Sequence, residues 1–159
     1  MSKPQHLAGL VGDQMEIIAF RLQGQEFCVM TRTIREIRGW SPSTPVPRSP
    51  HEMLGVINLR GIVIPIIDLA TKLGMPATVP NERSAIVVAE VHTMIVGLLV
   101  DQVSDILTIN GRQIQPIPDV ATSFEPGYSD GMITHENGMI CLLNLARMFR
   151  VDDADLYAA

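Results

Sequence analysis

Residues 58–69, Asn58-Leu59-Arg60-Gly61-Ile62-Val63-Ile64-Pro65-Ile66-Ile67-Asp68-Leu69 (NLRGIVIPIIDL), decide how the rest of the chain is read. Ile and Val fill the stretch almost without a break, which is strand vocabulary. Asp68 is placed to cap a short helix from Leu69 to Leu73, stopped by Gly74 and then Pro76. Pro65 inside the run marks an edge or a bulge. One cation, Arg60, stands at the head of the run. It is either a solvated turn residue or a charge held in place for a purpose.

The same grammar extends outward in both directions. Ile18, Phe20 and Leu22 alternate onto one face. Gly24-Gln25 follows, with Gly at the first central position of a type II′ turn, and Glu26 to Met30 returns as the partner strand. Ile34 and Ile37, three apart, predict a helical turn over Thr31 to Glu36. Residues 41–50 form a proline-rich loop, and Ser49-Pro50-His51-Glu52 reads as the start of a brief helix. Beyond it, Ser84 to Val91 and Met94 to Asp101 form a hairpin around His92-Thr93, and Val103 to Ile109 runs to an Asn110-Gly111 turn. After a loop around Phe124-Glu125-Pro126-Gly127, Tyr128 to His135 pairs with Met139 to Leu143 across Asn137-Gly138. Asn144 caps a last helix through Phe149, and the acidic tail is expected to fray.

The two halves echo each other. A hairpin followed by Ile34-x-Glu36-Ile37 returns as a hairpin followed by Val103-x-Asp105-Ile106. Likewise Gly55-Val-Ile, Gly61 and Asp68-Leu69-Ala70 return as Gly131-Met-Ile, Gly138 and Asn144-Leu145-Ala146. The expectation is an all-β protein with a few short helices, made of two antiparallel barrels of about five strands each. Ile62 to Ile67 and Ile86 to Val88 are apolar on both faces, so the barrels pack on one another or offer a face to a partner.

Composition narrows the function. The 159 residues carry a net charge of −5 and only 4% aromatics, against nucleic acid as a partner and against adsorption to anionic membranes. The longest apolar run, Met94 to Val100, is too short to span a bilayer, and the N-terminus does not resemble a signal peptide. Cys28 and Cys141 lie in apolar strands and read as two reduced core thiols of a cytosolic protein. His6, His51, His92 and His135 are scattered, so no metal site is expected, and no nucleophile elbow, phosphate loop or dinucleotide fingerprint is present. No catalytic residue and no cofactor is expected. Trp40 either anchors an interface or covers the proline-rich loop beside it.

Two motifs taken together carry a resemblance. Glu36-Ile37-Arg38-Gly39-Trp40, then Gly55-Val-Ile-Asn58-Leu59-Arg60-Gly61-Ile-Val-Ile-Pro65-Ile-Ile-Asp68-Leu69, resemble the chemotaxis coupling protein family, CheW. Val100-Asp101-Gln-Val103-Ser-Asp105-Ile106-Leu107 is similar to that family's second-half motif. The likeness runs from about Glu16 to Arg150, and Trp40 stands where the family often has Tyr. It implies a single domain over 15–150 made of two intertwined SH3-like barrels, roughly 15–80 and 81–150, with flexible termini at 1–14 and 151–159. It implies a non-enzymatic, cytoplasmic adaptor in bacterial chemotaxis signal transduction, recruited to membrane-bound receptor arrays. The partners implied are the cytoplasmic tip of methyl-accepting chemoreceptors, the regulatory domain of the CheA histidine kinase, and other couplers in rings. A coupler for a pilus, biofilm or second-messenger pathway is the alternative. By motif, receptor contact falls to Ile34, Glu36, Arg38, Arg60, Val100 and Val103, and kinase contact to the strand of Ser84, Ile86 and Val88. Glu36 and Arg60 are expected to form a structural ion pair at the edge of the groove.

Overall fold

The structure is a computed structural model of the chain and describes residues 14–117, 126–136 and 138–158. Its first half contains β1 (Gln14–Leu22), β2 (Gln25–Met30), β3 (Ile34–Gly39), β4 (Met53–Leu59), β5 (Ile62–Asp68) and α1 (Leu69–Lys72). The second half contains β6 (Ala85–Val91), β7 (Met94–Val100), β8 (Gln102–Asn110), β9 (Ile114–Gln115), β10 (Ser129–His135), β11 (Gly138–Leu143), α2 (Leu145–Met148) and α3 (Asp153–Leu156). Strands make up more than half of the described residues.

Each half lends its first hairpin to the other. One sheet has the order β8-β1-β2-β11-β10-β9 and the other β3-β6-β7-β5-β4. The β1–β2 hairpin joins antiparallel to β8 and parallel to β11, and the β6–β7 hairpin joins antiparallel to β3 and parallel to β5. The two exchanges mirror one another. The sheets therefore do not follow the ranges 15–80 and 81–150: residues 14–30 belong with the second half, and residues 85–100 with the first.

The core explains why some strands are apolar on both faces. One buried cluster draws only on the first sheet (Met15, Ile17, Ala19, Cys28, Ile109, Ile114, Ile133, Ile140, Leu142), and one only on the second (Leu59, Ile64, Ile66, Ile86, Val88, Leu99). A third, with 24 buried members among the described residues, draws on both. Phe20, Phe27, Val29 and Leu143 enter it from one sheet, Val87, Val96, Leu98 and Val100 from the other. Residues of β6 alternate between the shared layer (Val87, Ala89) and the second sheet's own core (Ile86, Val88). β6 also has a paired neighbour on each side, and only Glu90 near its end is open. Ser84 is 3% exposed, and its Oγ accepts from Asn81 N at 2.9 Å. The assignment of Ser84, Ile86 and Val88 to a docking face is corrected accordingly: the two-sided hydrophobicity of that strand marks a central strand.

Local chemistry departs from expectation at several places. The first turn holds Gln23 and Gly24, with φ of 54° and 77°, so it is type I′ and Gly24 takes the second central position. Thr31–Thr33 is a single 3-10 turn, and Ile34 already lies in a strand. His51 and Glu52 lie in a turn before β4 rather than in a helix. Asp68 stands at the N-cap position before α1, yet its side chain makes no capping hydrogen bond; its Oδ2 accepts from Thr71 Oγ1 at 2.7 Å and from Thr78 N at 2.9 Å, which fixes the segment after the helix. Asn144 does cap α2, accepting from Arg147 N at 3.1 Å. His135 pairs with Gly138, so that glycine belongs to the strand. β5 lies between β7 and β4, but pairing with β7 begins only at Ile66, so Pro65 stands on a stretch of β5 whose β7 side is open, a local edge as expected. The loop around Phe124-Glu125 and residues 1–13 lie outside the described residues.

Gly55 and Gly131 occupy matching bulges in the two sheets. Their φ values are 155° and 147°, and a Cβ would lie 2.4 Å from Thr44 O in one and 2.5 Å from Gln115 O in the other. Only glycine lets the covering segment approach so closely.

The tail is not frayed. Tyr157 is 2% exposed and joins the shared layer. Its hydroxyl donates to Glu52 Oε2 at 2.6 Å, and its ring meets Phe149 edge-on at 6.0 Å. Lys72 Nζ sits 5.0 Å from the Phe149 ring centroid. An apolar anchor of that size overrides the expectation from the acidic composition of the tail. His92 adds a second tie: its Nε2 lies 3.0 Å from Ala146 O and 2.8 Å from Phe149 O, two acceptors, so Nε2 carries the proton.

The corrected placement of β6 has a measurable consequence. Ile86→Ala removes a side chain with no exposure and lowers stability by about 2–5 kcal/mol, read as a fall in urea midpoint at unchanged slope. A surface residue at that position would change stability by about 0.5 kcal/mol or less.

Candidate functional site

The site is built on an edge strand that changes face. Register shifts between Ile34 and Glu36, so Ile34 lies opposite Ala89 while Glu36 and Arg38 lie opposite Val88 and Ile86. Ala89 belongs to the layer between the sheets, and Val88 and Ile86 belong to the second sheet's own core. The bulge thus aims Ile34 toward the shared layer and sets two charged side chains over the rim of that smaller core.

β3 is one edge of the second sheet and β4 is the other. Arg60 sits in the turn after β4, with φ of 51° at Arg60 and 89° at Gly61, a type I′ geometry. Asn58 Oδ1 holds this turn by accepting from Gly61 N at 2.8 Å. From it, Arg60 Nη2 donates to Glu36 Oε1, so one ion pair spans the two edges of the sheet. Arg60 is a turn residue and also a held charge, so the two readings of it merge. Its side chain is 72% exposed and that of Glu36 28%.

The matching seam in the first sheet is closed differently. Glu136 takes the turn position equivalent to Arg60, with φ of 52°, and Asp105 corresponds to Glu36. These two acids line one depression with His135, Arg21 and Glu26, and Asp105 Oδ1 accepts from its neighbour Ile106 N at 2.8 Å. Backbone geometry is repeated and side-chain chemistry is not. The seam pair is peculiar to one sheet.

The remaining predicted residues divide by exposure. Ile34 and Val103 are half-buried against the shared layer, one from each sheet. Val100 has no exposed surface and supports the layer from within. Arg38 is half-buried and lines a depression between β3 and β4. Around this seam Ile62 and Val63, at 55% each, and Ile37, at 39%, are open although none was named as a contact residue, and Trp40, one of whose two readings is an interface anchor, is 41% exposed. Ile62 and Val63 lie before β5 meets β7, so nothing covers them. Their signal in the sequence was their position next to the turn, at the projecting end of a hairpin.

Among the described residues, no three His, Cys, Asp or Glu side chains cluster as a metal ion would require, and no helix is long and apolar enough to cross a membrane. Cys28 and Cys141 are free and buried, and burial raises both thiols above their ordinary range.

The hydrogen bond from Arg60 is the main cause holding the Glu36 carboxyl below its usual range, with Arg60's charge and then Arg38's adding to it. The same bond raises Arg60. A carboxyl depressed on folding contributes stability above its unfolded pKa, about 4.3 for Glu, and loses it as pH falls through the lower folded value. Carbon-detected NMR titration of Glu36 is expected to give a midpoint below about 4.3 in the native chain and a higher one in Arg60→Ala. An unmoved midpoint in the variant contradicts the pair.

The sequence matches the family model described as CheW-like domain over residues 16–153. It is 51% identical over 140 residues to the chemotaxis protein CheW of Rhizobium meliloti (strain 1021), covering 88% of this chain and 90% of that one. It is 50% identical over 144 residues to the probable chemotaxis protein CheW of Rhizobium etli, covering 91% and 92%. The crystal structure of scaffolding protein TtCheW from Thermoanaerobacter tengcongensis superposes with a TM-score of 0.79 at 28% identity, covering 87% of this chain and 89% of that one. A β-rich two-sheet fold, an ion-paired seam and these likenesses agree, and the chain belongs to the CheW family of chemotaxis coupling proteins.

Proposed function

We propose that the chain is a cytoplasmic, non-enzymatic adaptor that docks a chemoreceptor's cytoplasmic tip and the regulatory domain of the CheA histidine kinase at once. The observation that carries this reading is the second sheet's seam, where Ile37, Trp40, Ile62 and Val63 stand open around the Glu36–Arg60 pair. Exposed large apolar side chains beside a fixed ion pair are the composition of a protein interface. Ile34 and Val103, half-buried at the margin of the shared layer, supply the apolar part of a receptor groove. Glu36, Arg38 and Arg60 supply its polar rim, and Val100 backs it from inside. The kinase contact passes to the hairpin end at Ile62 and Val63, because Ser84, Ile86 and Val88 are buried. Further copies of the adaptor can meet exposed edges of the same kind in rings. Such contacts need only moderate strength, since a multivalent array raises their effective concentration.

The reading is tested by capture of purified receptor-tip and kinase regulatory-domain fragments on the immobilised chain. Both fragments are expected to bind the native chain. Val63→Asp should weaken binding of the kinase fragment by about tenfold or more while changing stability by no more than about 0.5 kcal/mol, as expected of an exposed interface position. Native binding of neither fragment, or equal binding by the variant, contradicts the assignment.

A further inference from the structure

We infer that the C-terminal segment, residues 150–158, is a displaceable strap that competes with the CheA regulatory domain for its docking position, an inference that rests on the adaptor reading and adds its regulation. The kinase contact at Ile62 and Val63 borders a gap in the second sheet. β5 and β7 pair from Ile66 opposite Gly97 onward, and ahead of that point the two parallel strands stand apart. Their hairpin turns decide which backbone groups face the gap. Leu59 and Ile62 flank a two-residue turn, and so do Val91 and Met94, which makes each couple a hydrogen-bonded pair. Val63 and Ile95, one residue further on, therefore point their N–H and C=O groups away from β4 and β6, into the gap. Pro65 faces the same way and brings no N–H that would need a partner. The gap holds about 300 Å³ and is lined by Ile62, Val63 and Ile95 from the strands and by Ala154, Tyr157 and Ala158 from the strap.

One residue holds the strap to the rest of the chain. Its backbone hydrogen bonds are internal: Asp153 N donates to Arg150 O, Asp155 N to Asp152 O, and Tyr157 N to Asp153 O. Asp153 Oδ2 also stays within the strap, accepting from Arg150 N at 2.8 Å. Among the described residues, every hydrogen bond that leaves the strap passes through the Tyr157 hydroxyl, which donates to Glu52 Oε2 and lies 3.4 Å from Lys72 Nζ. α3 is four residues long, too short to be stable without its anchor. Val151 and Leu156 are 72% and 53% exposed, so the strap buries little apolar surface besides the Tyr157 ring. Its release leaves every strand pairing in place and is a local opening rather than unfolding. The strap covers the gap without bonding to it: among the described residues no hydrogen bond joins it to Val63 or Ile95. An extended kinase segment laid along β5 can satisfy those groups and seat an apolar side chain in place of the Tyr157 ring. Strap and kinase cannot occupy that place together.

Titration calorimetry of the full chain with the kinase regulatory-domain fragment and, separately, with the receptor-tip fragment tests the strap. Tyr157→Phe keeps the ring and removes the bond to Glu52. It is expected to bind the kinase fragment about fivefold more tightly, since a larger share of molecules is open. Tyr157→Ala should bind it more tightly still, and both variants should bind the receptor tip as the native chain does. In the native chain, the Asp155 and Tyr157 amides should exchange hydrogen faster than Val87, and faster again with the kinase fragment bound. Kinase affinity that is unchanged or lower in Tyr157→Phe overturns the strap and leaves the adaptor reading intact. An equal gain for the receptor tip also overturns it, by making the effect a general loosening of the fold. Exchange of the Tyr157 amide only through global unfolding does the same, whether or not the Ala variant folds. Failure of the native chain to bind the kinase fragment overturns the adaptor reading, and the strap with it.

Discussion

The apolar layer between the two sheets is the constraint on which the molecule depends. Neither sheet can bury both faces of its central strands alone, and the largest group of buried residues lies between them. The reciprocal hairpins enforce this. Removing β1–β2 would leave β8 with no strand partner and β11 with one, and removing β6–β7 would do the same to β3 and β5. Hydrophobic burial scales with area removed from water, so a layer fed by both sheets couples their stabilities. The tail adds to the same layer through Tyr157, and His92 ties the β6–β7 turn to the end of α2.

That architecture leaves specificity to the rims. The cores are filled by Ile, Val and Leu on a repeated backbone, and the two seams differ mainly in the charges placed on equivalent turns. An exposed ion pair such as Glu36–Arg60 adds little to stability, because solvent screens it and two long side chains must be ordered. Its value lies in geometry: it fixes where a guanidinium and a carboxylate stand beside Ile62 and Val63.

The fold was legible in the sequence where turn chemistry and periodicity were strong. Both later hairpins, the short helices after Asp68 and Asn144, and the internal repeat could be read directly. The Glu36–Arg60 pair followed from the family pattern. What could not be read was which strand pairs with which, because the exchange of hairpins is a long-range choice that leaves local patterns unchanged. Ile86 and Val88 show the cost: an apolar run on both faces fits a docking strand and a central strand equally well until its neighbours are known. Tyr157 shows the opposite error, where acidic residues around one aromatic concealed an anchor. The open apolar residues at Ile62 and Val63 were hidden inside a run that otherwise reads as core.

Native-state hydrogen exchange tests the central claim most directly, by comparing amides of β2 with those of β6 across a range of low urea concentrations. If the shared layer makes the lobes one cooperative unit, the slowest amides of Phe27 and Val87 exchange with the same free energy and the same urea dependence, both equal to global unfolding. Exchange of either set through an opening of lower energy, with the other set still protected, would show that the lobes unfold independently and would contradict the account.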